Sequence, residues 1–340
     1  METELEAWLK LTTEDPLDPE LPICDPHHHF WEDFIWNNAE NHAPAYLKHV
    51  PRYLLGELLQ DIRGGHHVVQ TVFVECDSMY RKDGPQEMQP VGETEFVQGI
   101  AAQSASGQCG ITNIAAGIVG SADFTLGAAV APVLEAHIAA SSDRFRGIRT
   151  RSSRKLLSDP KFREGFACLQ RYNLSFDVIV SPQYLMELVD LARAFPEIPI
   201  IVNHTGDCRD SGLYITKREE VFQWWKKGIA ALANCPNVVM KLGGLGMPEY
   251  GFGWNERATP PNSTELAEAM APYYHLCIEQ FGANRCMFES NFPVDKVSYS
   301  YTVMWNSFKR ISEDFSPEER AALFHDTAVC VYRLGSNDKG

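Results

Sequence analysis

The sequence predicts a single-domain α/β fold, a (β/α)8 barrel, and three observations support this. Eight short apolar runs alternate with helical segments along the chain, at a spacing of roughly 40 residues per unit. Several runs are nearly continuous in apolar residues, as in parallel strands that are buried on both faces. Polar residues recur where the runs end, which is the catalytic edge of such barrels. A doubly wound open sheet fits less well, because no Gly-x-Gly-x-x-Gly follows the first strand.

The predicted elements follow in order. The strands are expected at 22–25, 68–75, 111–119, 145–151, 174–180, 198–204, 238–242 and 285–291. The helices are expected at about 53–63, 93–105, 126–140, 159–172, 182–195, 217–233, 264–281, 298–312 and 317–334. Ser316 and Pro317 indicate the start of the last helix, as a cap and as the first helical residue.

Composition restricts the classes of partner. The chain carries 30 basic and 45 acidic residues, a formal charge of −15, which argues against nucleic acid or an anionic membrane as partner. A small acidic substrate stays open, because a local arginine cluster can bind one. We therefore expect a small-molecule substrate.

The nine cysteines are scattered, without a Cys-x-x-Cys pair, which indicates reduced thiols rather than a disulfide framework or a structural zinc site. The acidic first residues lack the pattern of a signal peptide, and no apolar run is long enough to cross a membrane. We expect a cytoplasmic protein. Residues 1–21 are predicted to be an extension packed loosely on a barrel of residues 22–336.

The first strand runs into Asp-Pro-His-His-His-Phe-Trp, in which His27 and His29 stand two residues apart. Alternate side chains of a strand share a face, so these two rings should point together and His28 away from them. Two neighbouring imidazoles can hold a metal ion or polarise a substrate carbonyl. The alternative is a histidine-rich turn without a function.

Further polar residues stand at the predicted strand ends. These are Glu75, Asp77, Arg149, Arg151, Asp177, His204, Lys241, Glu289, Asn291 and Asp295. His204 is a third histidine, far along the barrel and followed by Thr-Gly. Taken alone it is as consistent with a core histidine as with a site residue.

The motifs Asp-Pro-His-His-His-Phe-Trp, Val-Asn-His-Thr-Gly and Glu-Ser-Asn-Phe-Pro-Val-Asp, in this order, resemble the amidohydrolase-related family of the amidohydrolase superfamily. The similarity is greatest to its branch of sugar-lactone and 2-pyrone-4,6-dicarboxylate lactonases and covers residues 22–334. The matching positions are His27, His29, Arg149, His204, Lys241, Ser290 and Pro293.

The resemblance implies a distorted (β/α)8 TIM barrel in which water attacks an ester or amide carbonyl. The histidines would either bind one divalent metal, such as zinc, or polarise the carbonyl without it. We expect a hydrolase of a lactone or related cyclic ester, of a carboxylated small molecule, in which His27, His29 and His204 stabilise the oxyanion. The alternatives are a metal-dependent decarboxylase of an aromatic or unsaturated acid and a non-catalytic barrel that binds small molecules.

One departure from the family pattern concerns the general base. Asn291 stands where the family has an aspartate, and an amide cannot take the proton from water. We expect Glu289, on the same strand face, or Asp295 to take this role, while Asn291 orients water or substrate. The alternative is that Glu289 pairs with Lys241 or an arginine. The missing aspartate also weakens the case for zinc.

The substrate pocket is expected to contain Trp31, Glu75, Arg149, Arg151, Asp177 and Lys241. The arginines would bind a substrate carboxylate, unless one of them pairs with Asp177 or Glu75. The aromatic loop 243–262 is interpreted as a lid, a packing insertion or a contact in a homo-oligomer.

Overall fold

The computed structural model describes residues 3–32, 44–152, 156–208 and 218–335. Within these ranges, eight parallel strands follow one another around a barrel in chain order. They are β1 Ile23–His28, β2 Val68–Val74, β3 Asn113–Gly120, β4 Phe145–Ser152, β5 Ser175–Val180, β6 Ile200–Val202, β7 Val238–Leu242 and β8 Cys286–Phe288. The predicted (β/α)8 barrel is confirmed.

The α-helices alternate with the strands. They are α1 Glu4–Leu9, α2 Leu55–Ile62, α3 Val91–Ala105, α4 Ala131–Ala140, α5 Pro160–Arg171, α6 Leu185–Ala194, α7 Arg218–Ala233, α8 Ser263–Phe281, α9 Tyr301–Ile311, α10 Pro317–Ala321 and α11 Thr327–Val331. Short 3-10 helices occur at Ala45–His49, Gln86–Met88, Phe124–Val130, Pro182–Tyr184, Pro248–Tyr250, Trp254–Glu256, Ala283–Arg285 and Asp295–Val297. None of the described helices has the length and apolar character needed to cross a membrane.

The structure differs from the predicted elements mainly at their ends. β1 continues through His28, so His27 lies within the strand rather than after it. β6 and β8 stop short of their predicted ends, because His204 and Asn291 have positive φ angles of 53° and 54°. The predicted last helix is interrupted by a π-helical segment, Ala322–Asp326, between α10 and α11. Its start is as predicted, with Ser316 accepting a bond from the Glu319 amide.

Two backbone hydrogen bonds close the barrel between the ends of β1 and β8. The amide of His29 donates to Phe292 O over 2.8 Å, and the amide of Asn291 donates to His27 O over 2.9 Å. These bonds place the histidine strand directly beside the strand that supplies Glu289. The ends of β1 and β8 therefore form one surface at the mouth of the barrel.

The hydrophobic core has two parts. The larger part fills the space between the strands and the surrounding helices. The smaller part lies inside the barrel, where side chains such as Val72 and Met287 meet Tyr332 and Leu334. The chain after α11 therefore closes the barrel from the end opposite to the catalytic edge.

The N-terminal extension is attached more firmly than the loose packing we expected. The indole of Trp8 donates to Arg257 O over 2.9 Å. The side-chain nitrogen of Asn306, on α9, donates to Glu14, and the side-chain oxygen of Asn306 accepts from the backbone amide of Leu17. The Lys309 ammonium donates to Leu17 O. These contacts anchor the extension to α9 and to the loop before α8.

Candidate active site

The centre of the site is the carboxylate of Glu289, which joins two histidines from distant strands. Nδ1 of His27 donates to one carboxylate oxygen. Nδ1 of His204 donates to the other over 2.8 Å, and the His204 amide donates to the same oxygen over 3.0 Å. All three side chains are buried. The prediction that Glu289 points inward is therefore confirmed, although it bonds to histidines and not primarily to Lys241.

His29 lies beside this group but bonds elsewhere. Its ring centroid is 4.9 Å from that of His27, so the two rings share a face as the spacing predicts. Nδ1 of His29 donates to Val74 O over 2.7 Å. The ring of His28 points away and contacts the Thr71 hydroxyl at 2.9 Å.

Hydrogen bonding fixes the tautomers of His27 and His29. A guanidinium can only donate, and Nη1 of Arg149 lies 3.1 Å from Nε2 of His27, so that Nε2 accepts and Nδ1 carries the proton. Burial holds the pKa of His27 well below its ordinary value, and burial with the Arg149 charge lowers the pKa of His29. Both rings are therefore neutral.

The charge state of Glu289 identifies the donor in its hydrogen bond to His204. Burial works to raise the pKa of Glu289, but the neighbouring His27 and His204 outweigh it and hold this pKa well below its ordinary range. An ionised carboxylate can only accept, so Nδ1 of His204 is the donor. The neutral rings of His27 and His29, with unprotonated Nε2 atoms, are poor donors to an oxyanion. For these two histidines the arrangement argues against the oxyanion stabilisation that we expected of all three.

Arg149 is paired within the protein. Its Nε donates to Oε1 of Glu75 over 2.6 Å, and its Nη2 donates to Glu75 O. Burial works against the charge of Arg149, but Glu75 outweighs it and raises the pKa of the guanidinium. Of the two alternatives left open by the sequence, the structure shows the ion pair with Glu75. The side chain of Arg151 lies outside the described residues.

A cavity of about 520 Å³ opens beside this ion pair. Glu75, Arg149 and Thr150 form its inner wall. The remaining lining is mixed and comes from the segments after β2, β3 and β4. Its polar or acidic residues are Asp77, Tyr80, Gln86, Glu87, Gln89, Ser121 and Asp123, and its apolar residues are Pro90, Ala122, Phe124, Leu126, Leu156 and Phe162. Because the charged lining residues other than Arg149 are all acidic, the cavity suits substrate hydroxyl groups better than carboxylates.

Lys241 and Asp177 lie deeper in the barrel. The Lys241 ammonium is 2.9 Å from Oδ1 of Asp177 and 3.9 Å from Oε2 of Glu289. Asp177 also accepts from the Asn203 amide over 3.0 Å and from the Tyr332 hydroxyl over 2.7 Å. Because Lys241 and Asp177 are fully buried and paired, they lie beneath the site and do not line its cavity.

Asn291 and Asp295 form a second group at the end of β8. Asn291 follows the end of β8 with φ 54°, and its side-chain amide donates to Asp295 over 2.8 Å. The other Asp295 oxygen accepts from Tyr299 and from the Gly246 amide. Burial raises the pKa of Asp295 to about 7. This carboxyl holds the loop after β7 in place and is fully buried.

Two consecutive glycines allow His204 and Glu289 to approach β7. A Cβ on Gly243 would collide with Glu289, and a Cβ on Gly244 would collide with the His204 ring. Gly244 also has φ +73°, which favours glycine. The Gly-Gly pair directly after a strand is a recognisable signal in the sequence, although neither glycine was among the predicted site residues.

Sequence reasoning also missed Asp25, whose position inside the Asp-Pro-His motif was a usable signal. Its Oδ1 accepts from the Ser290 amide over 3.0 Å, and its Oδ2 accepts from Tyr301 over 3.0 Å. Burial raises the pKa of Asp25 to about 6. This residue ties the start of the histidine motif to the segment that follows Glu289.

The loop 243–262 is packed against the site. The Tyr250 hydroxyl contacts His204 O at 3.3 Å, and Phe252 stacks on Trp254 with ring centroids 4.3 Å apart. Trp31 is also buried, where its indole donates to Val50 O over 2.8 Å and its ring lies 6.2 Å from that of His29. Tyr250 therefore supports the backbone of His204, whereas Trp31 packs behind His29.

The residue types at the centre are compatible with one divalent metal ion. Potential ligand atoms of His27, His204 and Glu289 lie within 4.8 Å of one another, so Glu289 replaces His29 in the set we expected. Two histidines with one carboxylate make a known zinc-binding set. The buried charges around it, two cations and three carboxylates, leave one net negative charge.

Known proteins share this architecture. A family model described as Amidohydrolase matches residues 24–334. An uncharacterized protein of Sinorhizobium fredii, y4mH, is 33% identical over 337 residues, 93% of this chain and 99% of that protein. An L-fucono-1,5-lactonase of Burkholderia ambifaria is 26% identical over 292 residues, 80% of this chain and 91% of the lactonase.

Among solved structures, a crystal structure of an amidohydrolase from Burkholderia multivorans with bound zinc matches with a TM-score of 0.69 and 23% identity. The match covers 92% of this chain and 99% of that one. At this identity the likeness concerns the fold.

Proposed function

Because the chain belongs to the amidohydrolase family, whose model spans residues 24–334, we propose that it hydrolyses the ring ester of a lactone. The observation that carries the proposal is the His204–Glu289 pair, which His27 and Arg149 connect by hydrogen bonds to the wall of the cavity. A carboxylate that holds Nδ1–H of a neutral histidine leaves Nε2 as a base for water, as in the dyads of hydrolases. The L-fucono-1,5-lactonase among the relatives supports the same reaction class.

The proposed reaction starts from a neutral His204 ring that carries its proton on Nδ1. Water loses a proton to Nε2 of His204 as its oxygen bonds to the lactone carbonyl carbon, and Glu289 stabilises the resulting imidazolium. The guanidinium of Arg149, which lines the cavity, faces the negative charge that develops on the carbonyl oxygen. The ring C–O bond then breaks, and the leaving alkoxide takes the proton from Nε2. The products are an alcohol and a carboxylic acid on one open chain.

This assignment changes the expected base. Glu289 already accepts from two imidazoles and a backbone amide. Asp295 accepts from Asn291, Tyr299 and Gly246. Since both carboxylates are engaged by the protein, we infer that His204 takes the proton and that Glu289 fixes its tautomer.

A divalent metal would be held by His27, His204 and Glu289, and it would supply Lewis-acid polarisation of water or of the carbonyl. The proton-transfer assignment above uses the protein's own atoms. The two routes make opposite predictions for chelation, which are given in the Discussion.

The substrate we propose is a neutral lactone with several hydroxyl groups rather than a carboxylated one. Each nitrogen of Arg149 already donates to Glu75 or His27, so no free bidentate edge is left for a substrate carboxylate, whereas a remaining N–H can still meet a single carbonyl oxygen. Asp77, Glu87 and Asp123 add negative charge around the cavity. Carboxylates accept hydrogen bonds from sugar hydroxyls and repel a substrate carboxylate.

The test compares neutral sugar lactones with carboxylated lactones as substrates of the full-length enzyme. Glu289→Gln should lower kcat by about 10²–10⁴-fold, because the amide no longer fixes the tautomer of His204. Glu93→Gln is the matched control, since Glu93 is also buried and accepts from the Cys76 and Ser78 amides, which the side-chain oxygen of Gln can accept equally. Absence of lactone turnover by the wild type, or an unchanged rate in Glu289→Gln, would contradict the proposal.

A further inference from the structure

The carboxyl-terminal segment reaches the catalytic layer from the far end of the barrel. Tyr332 follows α11 and is fully buried inside the barrel. Its hydroxyl donates to Oδ1 of Asp177 over 2.7 Å, and its ring centroid lies 5.3 Å from the Lys241 ammonium. Tyr332 therefore contacts both members of the ion pair beneath Glu289.

The Asp177–Lys241 pair connects Tyr332 to the catalytic carboxylate. Oδ1 of Asp177 is shared by Tyr332, by the Asn203 amide at 3.0 Å and by Lys241 at 2.9 Å. The Lys241 ammonium also lies 3.9 Å from Oε2 of Glu289, the oxygen that accepts from His27. In a fully buried environment, the position of this ammonium has a strong effect on Glu289, because little solvent screens it.

We propose that Tyr332 is a positioning residue for the site. By holding Oδ1 of Asp177 in place, the Tyr332 hydroxyl keeps Lys241 between the carboxylates of Asp177 and Glu289. Glu289 then keeps its hydrogen bonds to His27 and His204. Without the hydroxyl, Oδ1 of Asp177 keeps only one of its two hydrogen-bond donors, the Asn203 amide. Lys241 is then drawn towards Asp177 and away from Glu289. The role of Tyr332 in catalysis rests on the proposed lactone hydrolysis, whereas its effect on the histidines does not.

The chain offers a matched control for this arrangement. Tyr53 is also buried, and its hydroxyl donates to Asp61 over 2.7 Å. Asp61 pairs with Lys296 over 2.7 Å, and the Lys296 ammonium lies 5.4 Å from the Tyr53 ring centroid. Tyr53→Phe therefore removes the same hydroxyl from the same kind of triad, in which Asp61 pairs with Lys296 and not with a lysine that contacts Glu289.

The first experiment measures steady-state kinetics on a neutral sugar lactone. Tyr332→Phe should lower kcat by about tenfold while KM stays within twofold, because Tyr332 does not line the cavity. Tyr53→Phe should leave both constants within twofold. In a Lys241→Met background, Tyr332→Phe should have little further effect, because the lysine through which it acts is gone. Equal losses of kcat in Tyr332→Phe and Tyr53→Phe would overturn the proposal. So would a loss of kcat from Tyr332→Phe that is as large in the Lys241→Met background as in the wild type.

The second experiment uses NMR of 15N-histidine-labelled protein and requires no substrate. Tyr332→Phe should shift the Nδ1–H signals of His27 and His204, and Tyr53→Phe should not. If the wild type hydrolyses no lactone but these shifts occur, the proposed function fails and the positioning role stands. Unchanged signals would overturn the positioning role. If Tyr332→Phe does not fold, Asp177→Asn tests the same connection, and unchanged signals in that variant would contradict it equally.

Discussion

Nη1 of Arg149 lies 3.1 Å from Nε2 of His27, and this contact connects the cavity to the catalytic group. The guanidinium donates to the only lone pair of the neutral His27 ring, and Nδ1–H of the same ring donates to Glu289. Glu289 in turn accepts from His204. One chain of hydrogen bonds thus runs from the cavity wall, through His27 and Glu289, to the proposed base.

The ion pair of Arg149 and Glu75 makes a prediction about stability. Arg149→Met should lower the free energy of unfolding by about 3–5 kcal/mol, because it leaves Glu75 buried without its partner. The double variant Arg149→Met/Glu75→Gln should recover at least half of this loss. Urea denaturation at pH 7 measures both. Equal destabilisation of the single and double variants would show that the loss comes from packing rather than charge.

Gly244 should be required for the placement of His204. Gly244→Ala would direct a Cβ into the His204 ring, and we expect a loss of stability of about 1–3 kcal/mol and a clear fall in kcat. Gly253→Ala is the control, because Gly253 has a similar φ of +66° but a Cβ there would meet nothing within 4 Å. Thermal unfolding and lactone turnover are measured on both. A similar fall in kcat for the two variants would contradict this reading of the contact.

Asp295 should make stability depend on pH. Burial raises the pKa of Asp295 in the folded protein from 3.8 to about 7, so between these values the folded state binds the proton more tightly than the unfolded state. Its contribution is therefore complete below pH 4 and is lost as the pH rises through 7, by a few kcal/mol at most.

The measurement is urea denaturation at pH 5 and at pH 8. The wild type should lose more stability over this interval than Asp295→Asn, which has no titrating group at this position. Burial also raises the pKa of Asp25, to about 6, so Asp25 lowers stability with rising pH in both proteins. The difference between the losses of stability in the wild type and in Asp295→Asn therefore reports Asp295 alone. Parallel slopes would be inconsistent with the raised pKa of Asp295.

Metal removal distinguishes the two routes to an activated water. We expect turnover to stay within twofold after exhaustive chelation, because Glu289 and the Nδ1–H of His204 fix the base with protein atoms alone. The metal content of each sample is measured by elemental analysis beside the rate. A loss of tenfold or more that zinc restores would instead assign the activation of water to a cation held by His27, His204 and Glu289.

The local pattern of the sequence predicted the parts of the site that depend on strand geometry. His27 and His29 share a face because successive side chains of β1 alternate. Glu289 points inward from the end of β8 by the same rule. At Asn291 the chain turns to φ 54°, a conformation that strand periodicity cannot anticipate. The role of Asp295 likewise depended on the loop after β7, which supplies the Gly246 amide from far along the chain.

The sequence by itself determined the barrel, its catalytic edge and most of the residues at that edge, because these follow from hydrophobic periodicity and from the order of the strands. Only the tertiary structure decided what those residues do. Arg149 is paired with Glu75, Glu289 serves two histidines, and Tyr332 reaches the site from the opposite end of the barrel. The physical reason is that protonation and pairing depend on which atoms lie within about 3 Å of one another in a buried space. Residues separated by dozens to hundreds of positions in the chain make those contacts.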